Sequence, residues 1–375
     1  MNKKEPLFHI VKRNQDSKLK QLLIYVIAVA LALAIGAVLL ARQGVSFKKF
    51  YTDVFTIGII GNKYPARIVE GFIRLFVPLL ITSLALAVSF KMRFWNIGGE
   101  GQFIIGALFA GITAFKLGDT MPQLPLLVLM IISGILGGGI YGLIAAVLKV
   151  RLGTNETLMT LMLNYIALYL ISFLGETKGD WNFFLSTTSA RPIFAKFPAN
   201  AAMITFPIGK FNLNLSLIVA LLICVLIFIY MKYTKHGYEI SVVGDSPNSA
   251  HYAGMKVNRI VIRTVFLSAA LIGMAGAMYA SSAGTLSTSI TNDVGWTGVV
   301  VAWLAKLNTV GIFFTSFLIT ILQYGCQAAS TAYPTIDVNF ADMLQGVILF
   351  IVLAADFFTR FKIVFRSGKE NGRND

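Results

Sequence analysis

The sequence predicts an all-α, polytopic membrane protein of about ten transmembrane helices, some broken or short, in two halves that resemble inverted repeats. Three observations carry that prediction. Of 375 residues, 56% are hydrophobic and only 13% charged, where a soluble protein carries about a quarter charged residues. Residues 22–41, 124–148 and 211–231 contain no Asp, Glu, Lys or Arg, and each has the roughly 20 residues a helix needs to cross a bilayer. The net charge of +15 gathers at the ends: Lys3, Lys4, Lys12, Arg13, Lys18 and Lys20 before the first run, Arg360, Lys362, Arg366, Lys369 and Arg373 after the last. Such clusters are what the positive-inside rule expects of cytoplasmic flanks. No aromatic residues interleave with them as on a nucleic-acid surface, so no nucleic-acid partner is expected.

Taken in order, residues 1–21 form a basic cytoplasmic tail able to start an interfacial helix, and residues 22–358 form the membrane domain. The first span, 22–41, is too long for a signal-peptide core and reads as a retained helix. An outer loop to Tyr64 carries Phe47, Phe50 and Tyr51, suited to the interface. The second span, 66–90, opens with Glu70 and Arg74, spaced to pair on one face, and Pro78 should kink it. Lys91 and Arg93 turn the chain inside.

Next comes Asn96-Ile97-Gly98-Gly99-Glu100-Gly101-Gln102, leading into a third span that ends near Phe115. Three glycines so close cost a helix roughly 1 kcal/mol each against alanine. They offer close backbone approach beside a carboxylate and two amides. Broken, polar backbone at a membrane edge is tolerated only where it lines a cavity or is buried in protein. The alternative is a plain helix start, with Glu100 at the positive end of the dipole.

The fourth span, to Leu148, carries Gly134, Gly137, Gly138, Gly139 and Gly142 and must pack closely on a neighbour. Gly153-Thr154-Asn155-Glu156 restarts the chain, with Thr154 or Asn155 as cap and Glu156 in the first turn of a fifth span, 157–174, that holds Asn164. Residues 175–210 form an outer loop and 211–231 the sixth span. The inner loop 232–263 contains Ser246-Pro247, a helix start, and Gly254, a helix stop. Residues 264–282 form the seventh span, with Gly273 and Gly276 spaced for packing. Val294–Leu304 either crosses or re-enters; basic tails on one side favour a crossing. Spans at 307–327 and 343–358 flank an outer loop around Pro334 and Asp337, and a second basic tail, 359–375, follows.

Catalytic chemistry finds no support. Gly137-Gly138-Gly139 lacks the Lys-Ser/Thr ending of a phosphate-binding loop. His9, His236 and His251 have no metal-ligand spacing, and Cys224 and Cys326 lie in apolar runs. No metal and no bound cofactor are expected. The polar groups on broken or restarted helices, Asn96, Gly98, Gly99, Glu100, Gly101, Gln102, Asn155, Glu156 and Asn164, are the candidates for a translocation path or core motif. An uncharged stretch, 248–253, in the inner loop suits docking to a soluble partner, against the plain alternative of a surface turn.

The order and membrane context of 96–102, Gly153-Thr154-Asn155-Glu156, Leu161-Met162-Leu163-Asn164-Tyr165, and Gly237, Gly244, Ala250 and Tyr252-Ala253-Gly254 resemble a permease subunit of a bacterial ATP-binding-cassette importer. Within the ribose and branched-chain amino-acid permease group, the resemblance is closest to the nucleoside branch and covers roughly residues 60–358. It implies a multi-pass protein of the plasma membrane with both termini cytoplasmic. It implies a second permease subunit (the same chain or a different one), a cytoplasmic ATPase that uses the ATP, and an extracytoplasmic substrate-binding protein. Nucleosides are the implied substrate, simple sugars the next. Gly237, Gly244, Pro247, Ala250 and Gly254 would support the ATPase coupling loop. Ser241 departs from the group, where arginine is frequent, and so do Trp303 and Lys306, where smaller residues are usual. A secondary transporter driven by an ion gradient is the competing class; it would need acids at the membrane midplane.

Overall fold

The computed structural model describes residues 8–12, 18–60, 62–333, 335 and 338–365. Lys3, Lys4, Arg13, Pro334, Asp337, Arg366, Lys369 and Arg373 lie outside them. In chain order the elements are β1 (Phe8–Lys12), α1 (Lys18–Arg42), α2 (Phe47–Phe55), α3 (Pro65–Lys91), α4 (Gly99–Leu117), α5 (Gln123–Leu152) and α6 (Glu156–Glu176). After a hairpin of β2 (Thr205–Ile208) and β3 (Phe211–Asn214) come α7 (Leu215–Tyr233), α8 (Lys235–Asp245), α9 (Pro247–Tyr252) and α10 (Val257–Ala283). The chain ends with α11 (Val294–Leu304), α12 (Thr309–Ala332), α13 (Val338–Arg360) and β4 (Phe361–Phe365). Among the described residues seven of these helices are long and apolar enough to cross a membrane, and shorter apolar stretches lie in α1, α11 and α13.

The chain divides into two compact units, 61–324 and a smaller one made of 1–60 with 325–375. In the smaller unit α1 packs on α13. β1 pairs antiparallel with β4, from Phe8 opposite Phe365 to Lys12 opposite Phe361. Residues 8–12 and 361–365 of the expected basic tails are therefore a two-stranded ribbon, where an interfacial helix was expected for the N-terminal one. α2 falls where a plain loop was expected. It buries Phe50 and Val54, and the Tyr333 hydroxyl donates to Asp53 at 2.8 Å.

In the larger unit α3 is the interior helix, with 83% of its apolar window buried, and α7 the peripheral one, with 22%. α3 runs unbroken through Pro78. Glu70 does not pair with Arg74 as its spacing suggests; one of its oxygens takes the backbone N–H of Asn212 at 2.8 Å. The centre is a meeting of α4, α5 and α10, backbone to backbone. A side chain on Gly273 would strike the Gly134 carbonyl and the Gly138 Cα, one on Gly106 would strike Gly273, and one on Gly276 the Phe103 carbonyl. Between helices in lipid, where apolar burial gives no net drive, such close approach supplies the packing energy.

α11 is too short to cross: its 11 residues span about 16 Å. It is preceded by the irregular segment 285–293, which leaves Gly284, where the Phe197 N–H donates to the Gly284 carbonyl, and reaches the start of α4, where Gly295 meets Glu100. The expected broken segment is thus an irregular stretch followed by a short helix. α10 begins earlier than expected, at Val257, and the inner loop is two short helices, α8 and α9.

Candidate functional site

Sequence spacing puts the polar groups of residues 96–102 around a chain reversal. α3 ends at Lys91, and the chain turns back so that Asn96 reaches Ser268 at 3.5 Å, whose hydroxyl donates to the Ala85 carbonyl at 2.7 Å. Ala85 lies six residues above Lys91, so the reversal climbs about 9 Å back along α3 before α4 starts.

There the side chains clasp one another. The amides of Asn96 and Gln102 exchange two hydrogen bonds, at 3.1 and 2.9 Å, and Asn96 also takes the Gly98 N–H at 3.1 Å. Asn164 on α6 accepts from the Gly101 N–H and donates to the Ile97 carbonyl, both at 2.8 Å. Four residues earlier on the same face, Thr160 accepts from Ile97 at 3.2 Å. Gly101 permits this: a side chain there would stand 3.2 Å from the Asn164 Cα. Gly98 is hemmed in likewise by Gln102 and Asn96. Asn96, Glu100, Gln102 and Asn164 are all but fully buried, so in this conformation they face one another and not a solute.

Glu100 does a separate job. Its Oε1 accepts the backbone N–H groups of Gly295 at 2.7 Å and Trp296 at 3.2 Å. Those are first-turn groups of α11, which lack partners within their own helix. Glu100 thereby caps α11 from another helix while sitting in the first turn of α4, its carboxyl oxygen lying between the two helix starts. Gly99 and Gly295 let the two helix starts touch: a side chain on Gly99 would lie 3.1 Å from the Gly295 Cα. The Oε2 atom is buried without a hydrogen-bond partner among the described residues.

Backbone strain marks both broken segments. Six non-glycine residues have left-handed φ among those described, and five flank these segments: Arg93 before one, Asn292, Asp293, Lys306 and Leu307 around the other. Each costs roughly 1–3 kcal/mol and persists only where the surroundings hold it. Trp303, one of the departures from the group pattern, stacks on Trp95 at 5.2 Å and on Phe90 at 5.8 Å.

Asn155 and Glu156 stand apart from this clasp. Asn155 caps α6 through the Thr157 and Leu158 N–H groups, and Glu156 pairs with Lys149 at 2.8 Å.

The second candidate region is α8 and α9. Thr234 caps α8 through the Gly237 N–H, a signal present in the sequence and overlooked. Ser246 caps α9 through the Ser249 N–H, Pro247 is its first residue, and Gly254 ends it at φ +75°. Gly237, Gly244 and Ala250 are buried within the chain, so they shape this region and present no surface of their own. Tyr252, 94% exposed, Tyr238 and His251 form the free face. Gly244 rests on the Lys91 carbonyl at the end of α3. α8 therefore abuts the turn that leads into the clasp.

The family model described as branched-chain amino acid transport system / permease component matches residues 68–353. The nucleoside ABC transporter permease protein NupB of Lactococcus lactis subsp. cremoris is 30% identical over 343 residues, covering 90% of this chain and 92% of that protein. The guanosine ABC transporter permease protein NupP of Bacillus subtilis is 29% identical, covering 95% and 99%. The glucose ABC transporter permease protein TsgB13 of Haloferax volcanii is 25% identical, covering 90% and 88%.

Proposed function

The chain belongs to the family described as branched-chain amino acid transport system / permease component, and on that premise we propose that it is the membrane subunit of an importer carrying nucleosides into the cell. The observation that carries the substrate is the near full-length similarity to NupB and NupP, proteins named for nucleosides and guanosine. The similarity to TsgB13 makes simple sugars the second class.

A separate cytoplasmic ATPase supplies the energy, a second permease subunit completes the path, and an extracytoplasmic protein delivers the substrate. The basic ends of α3, α5 and α7 (Lys91, Lys149 with Arg151, and Lys232) support a cytoplasmic position for α8 and α9. The exposed face of α9 meets the ATPase, and the contact of Gly244 with the Lys91 carbonyl supports a path for motion from there to the clasp. The clasp of Asn96, Gln102 and Asn164 and the Glu100 joint open and close beside the solute path.

The test is reconstitution in proteoliposomes with the ATPase and the binding protein. Labelled adenosine should accumulate only with ATP, and unlabelled nucleosides should suppress this where ribose does not. Accumulation driven by a proton or sodium gradient without the ATPase would restore the secondary-transporter reading.

A further inference from the structure

At the Gly284 end of the larger unit lies a cavity of about 320 Å³ among the start of α3, the β2–β3 hairpin and the end of α10. We propose that this cavity is an entry subsite on the permease itself, which takes the ribose of a nucleoside as it leaves the binding protein; the proposal rests on the nucleoside reading above. The volume falls at the lower end of the roughly 300–1,000 Å³ of small-molecule pockets.

One wall of the cavity is polar and its hydrogen-bonding capacity is only partly used. Glu70 gives one oxygen to the Asn212 N–H and keeps the other without a hydrogen-bond partner among the described residues. Arg74, one turn further along α3 and exposed, has no hydrogen-bond or ion-pair partner among them. Ser282 accepts from Asn214 at 3.2 Å, which leaves its own proton free to donate. An acceptor, a forked donor and a hydroxyl thus face one space. A pair of neighbouring hydroxyls, each both donor and acceptor, satisfies all three without bringing in a charge. Ile73 and Met203 add apolar lining that suits the flat face of a base. The side-chain charges of Glu70 and Arg74 cancel, which favours a neutral solute over an anion.

Depth supports a role in entry. Arg74 lies within electrostatic reach of Tyr279 and Tyr324, and Tyr279 takes a hydrogen bond from Asn292 at 2.8 Å. Asn292 lies three residues before Gly295, so polar groups continue from the cavity to the Glu100 joint.

The test uses the intact complex in detergent without the binding protein, photolabelled with 8-azidoadenosine and mapped by peptide analysis. Label is expected on 202–214 and 281–284. It should be displaced by uridine or adenosine and fall about tenfold in Arg74→Gln, the size of effect expected for losing a charged hydrogen-bond donor. Arg74 is exposed, so the variant should keep its size-exclusion profile, and Glu70→Gln serves as a second variant on the same wall. Label elsewhere, or unchanged in both variants, while the complex still imports adenosine overturns the subsite and leaves the function standing. Displacement by leucine and not by nucleosides overturns the ligand class, because a carboxylate beside a guanidinium also suits a zwitterion. A complex that imports no nucleoside at all overturns the function and the subsite together.

Discussion

The Glu100 carboxylate accepts the backbone N–H of Gly295 at 2.7 Å, joining two helix starts that lie 195 residues apart in the chain. Helix starts carry unpaired N–H groups and partial positive charge, so two that touch repel unless something negative lies between them. Glu100 places an acceptor oxygen between them from within the first turn of α4. The two broken segments are therefore one hydrogen-bonded joint, with glycine on both sides for closeness and left-handed residues around α11 holding it in place.

Glu100→Ala should leave the Gly295 N–H buried without an acceptor, at a cost of about 1–3 kcal/mol. The detergent-solubilised protein should melt several degrees lower, and uptake should be lost. Glu100→Gln keeps an acceptor and should recover most of the melting temperature but less of the transport. An alanine variant that melts with the wild type would show that the joint holds nothing together.

The glycines at the joint should differ in tolerance. A Cβ on Gly295 would collide with the Glu100 backbone nitrogen, whereas one on Gly99 would sit 3.1 Å from the Gly295 Cα, within reach of a small adjustment. Gly295→Ala should therefore abolish transport, and Gly99→Ala should reduce it only partly. Gly99→Val, which adds bulk beyond the Cβ, should match Gly295→Ala. Membrane-inserted expression with uptake assays would reveal the ranking, and equal tolerance at both sites would contradict the packing.

Much of this was legible in the residues, for physical reasons that also mark the limit. Long uncharged runs fix spans because a bilayer enforces helix length, and Gly134, Gly138 and Gly273 announced close packing although not each other. Residues 96–102 stood out because glycine, amide and carboxylate are poor choices for lipid. What stayed hidden was every partner far away in sequence: Asn164 for Gly101, Gly295 for Glu100, Lys91 for Gly244. The β1–β4 ribbon was hidden for the same reason, since neither strand has a hairpin partner nearby. Ala250 read as surface because its neighbours are neutral, yet α9 turns it inward and leaves Tyr252 outside.

That reversal changes how coupling should be probed. Ala250→Arg would insert a charge into a buried site and damage the fold. Tyr252→Ala touches only the exposed face and should weaken co-purification of the ATPase while the permease still inserts. Gly244→Val should push α8 off the Lys91 carbonyl, leaving the ATPase bound but its hydrolysis unresponsive to delivered substrate. If Tyr252→Ala keeps both co-purification and substrate-stimulated hydrolysis, the contact lies elsewhere, with the turn at Gly153–Glu156 next in line.

The anchoring of α8 should also depend on pH, and the sign follows from Glu239. Burial opposes its ionisation, but hydrogen bonds from Arg263 at 2.9 Å and His236 outweigh that and hold its carboxyl below the usual range. A depressed folded-state value means that the ionised pair stabilises α8 at every pH above the unfolded value of about 4.3, and that this is lost as pH falls through the folded value. The protection factors of the α8 amides, corrected for the intrinsic exchange rate at each pH, should thus be equal at about pH 7 and pH 5 and fall only in stronger acid. Glu239→Gln should exchange faster at both pH values, because Arg263 then loses its charged partner. Loss of wild-type α8 protection already between about pH 7 and pH 5 would show that the anchoring does not rest on the Glu239 carboxylate.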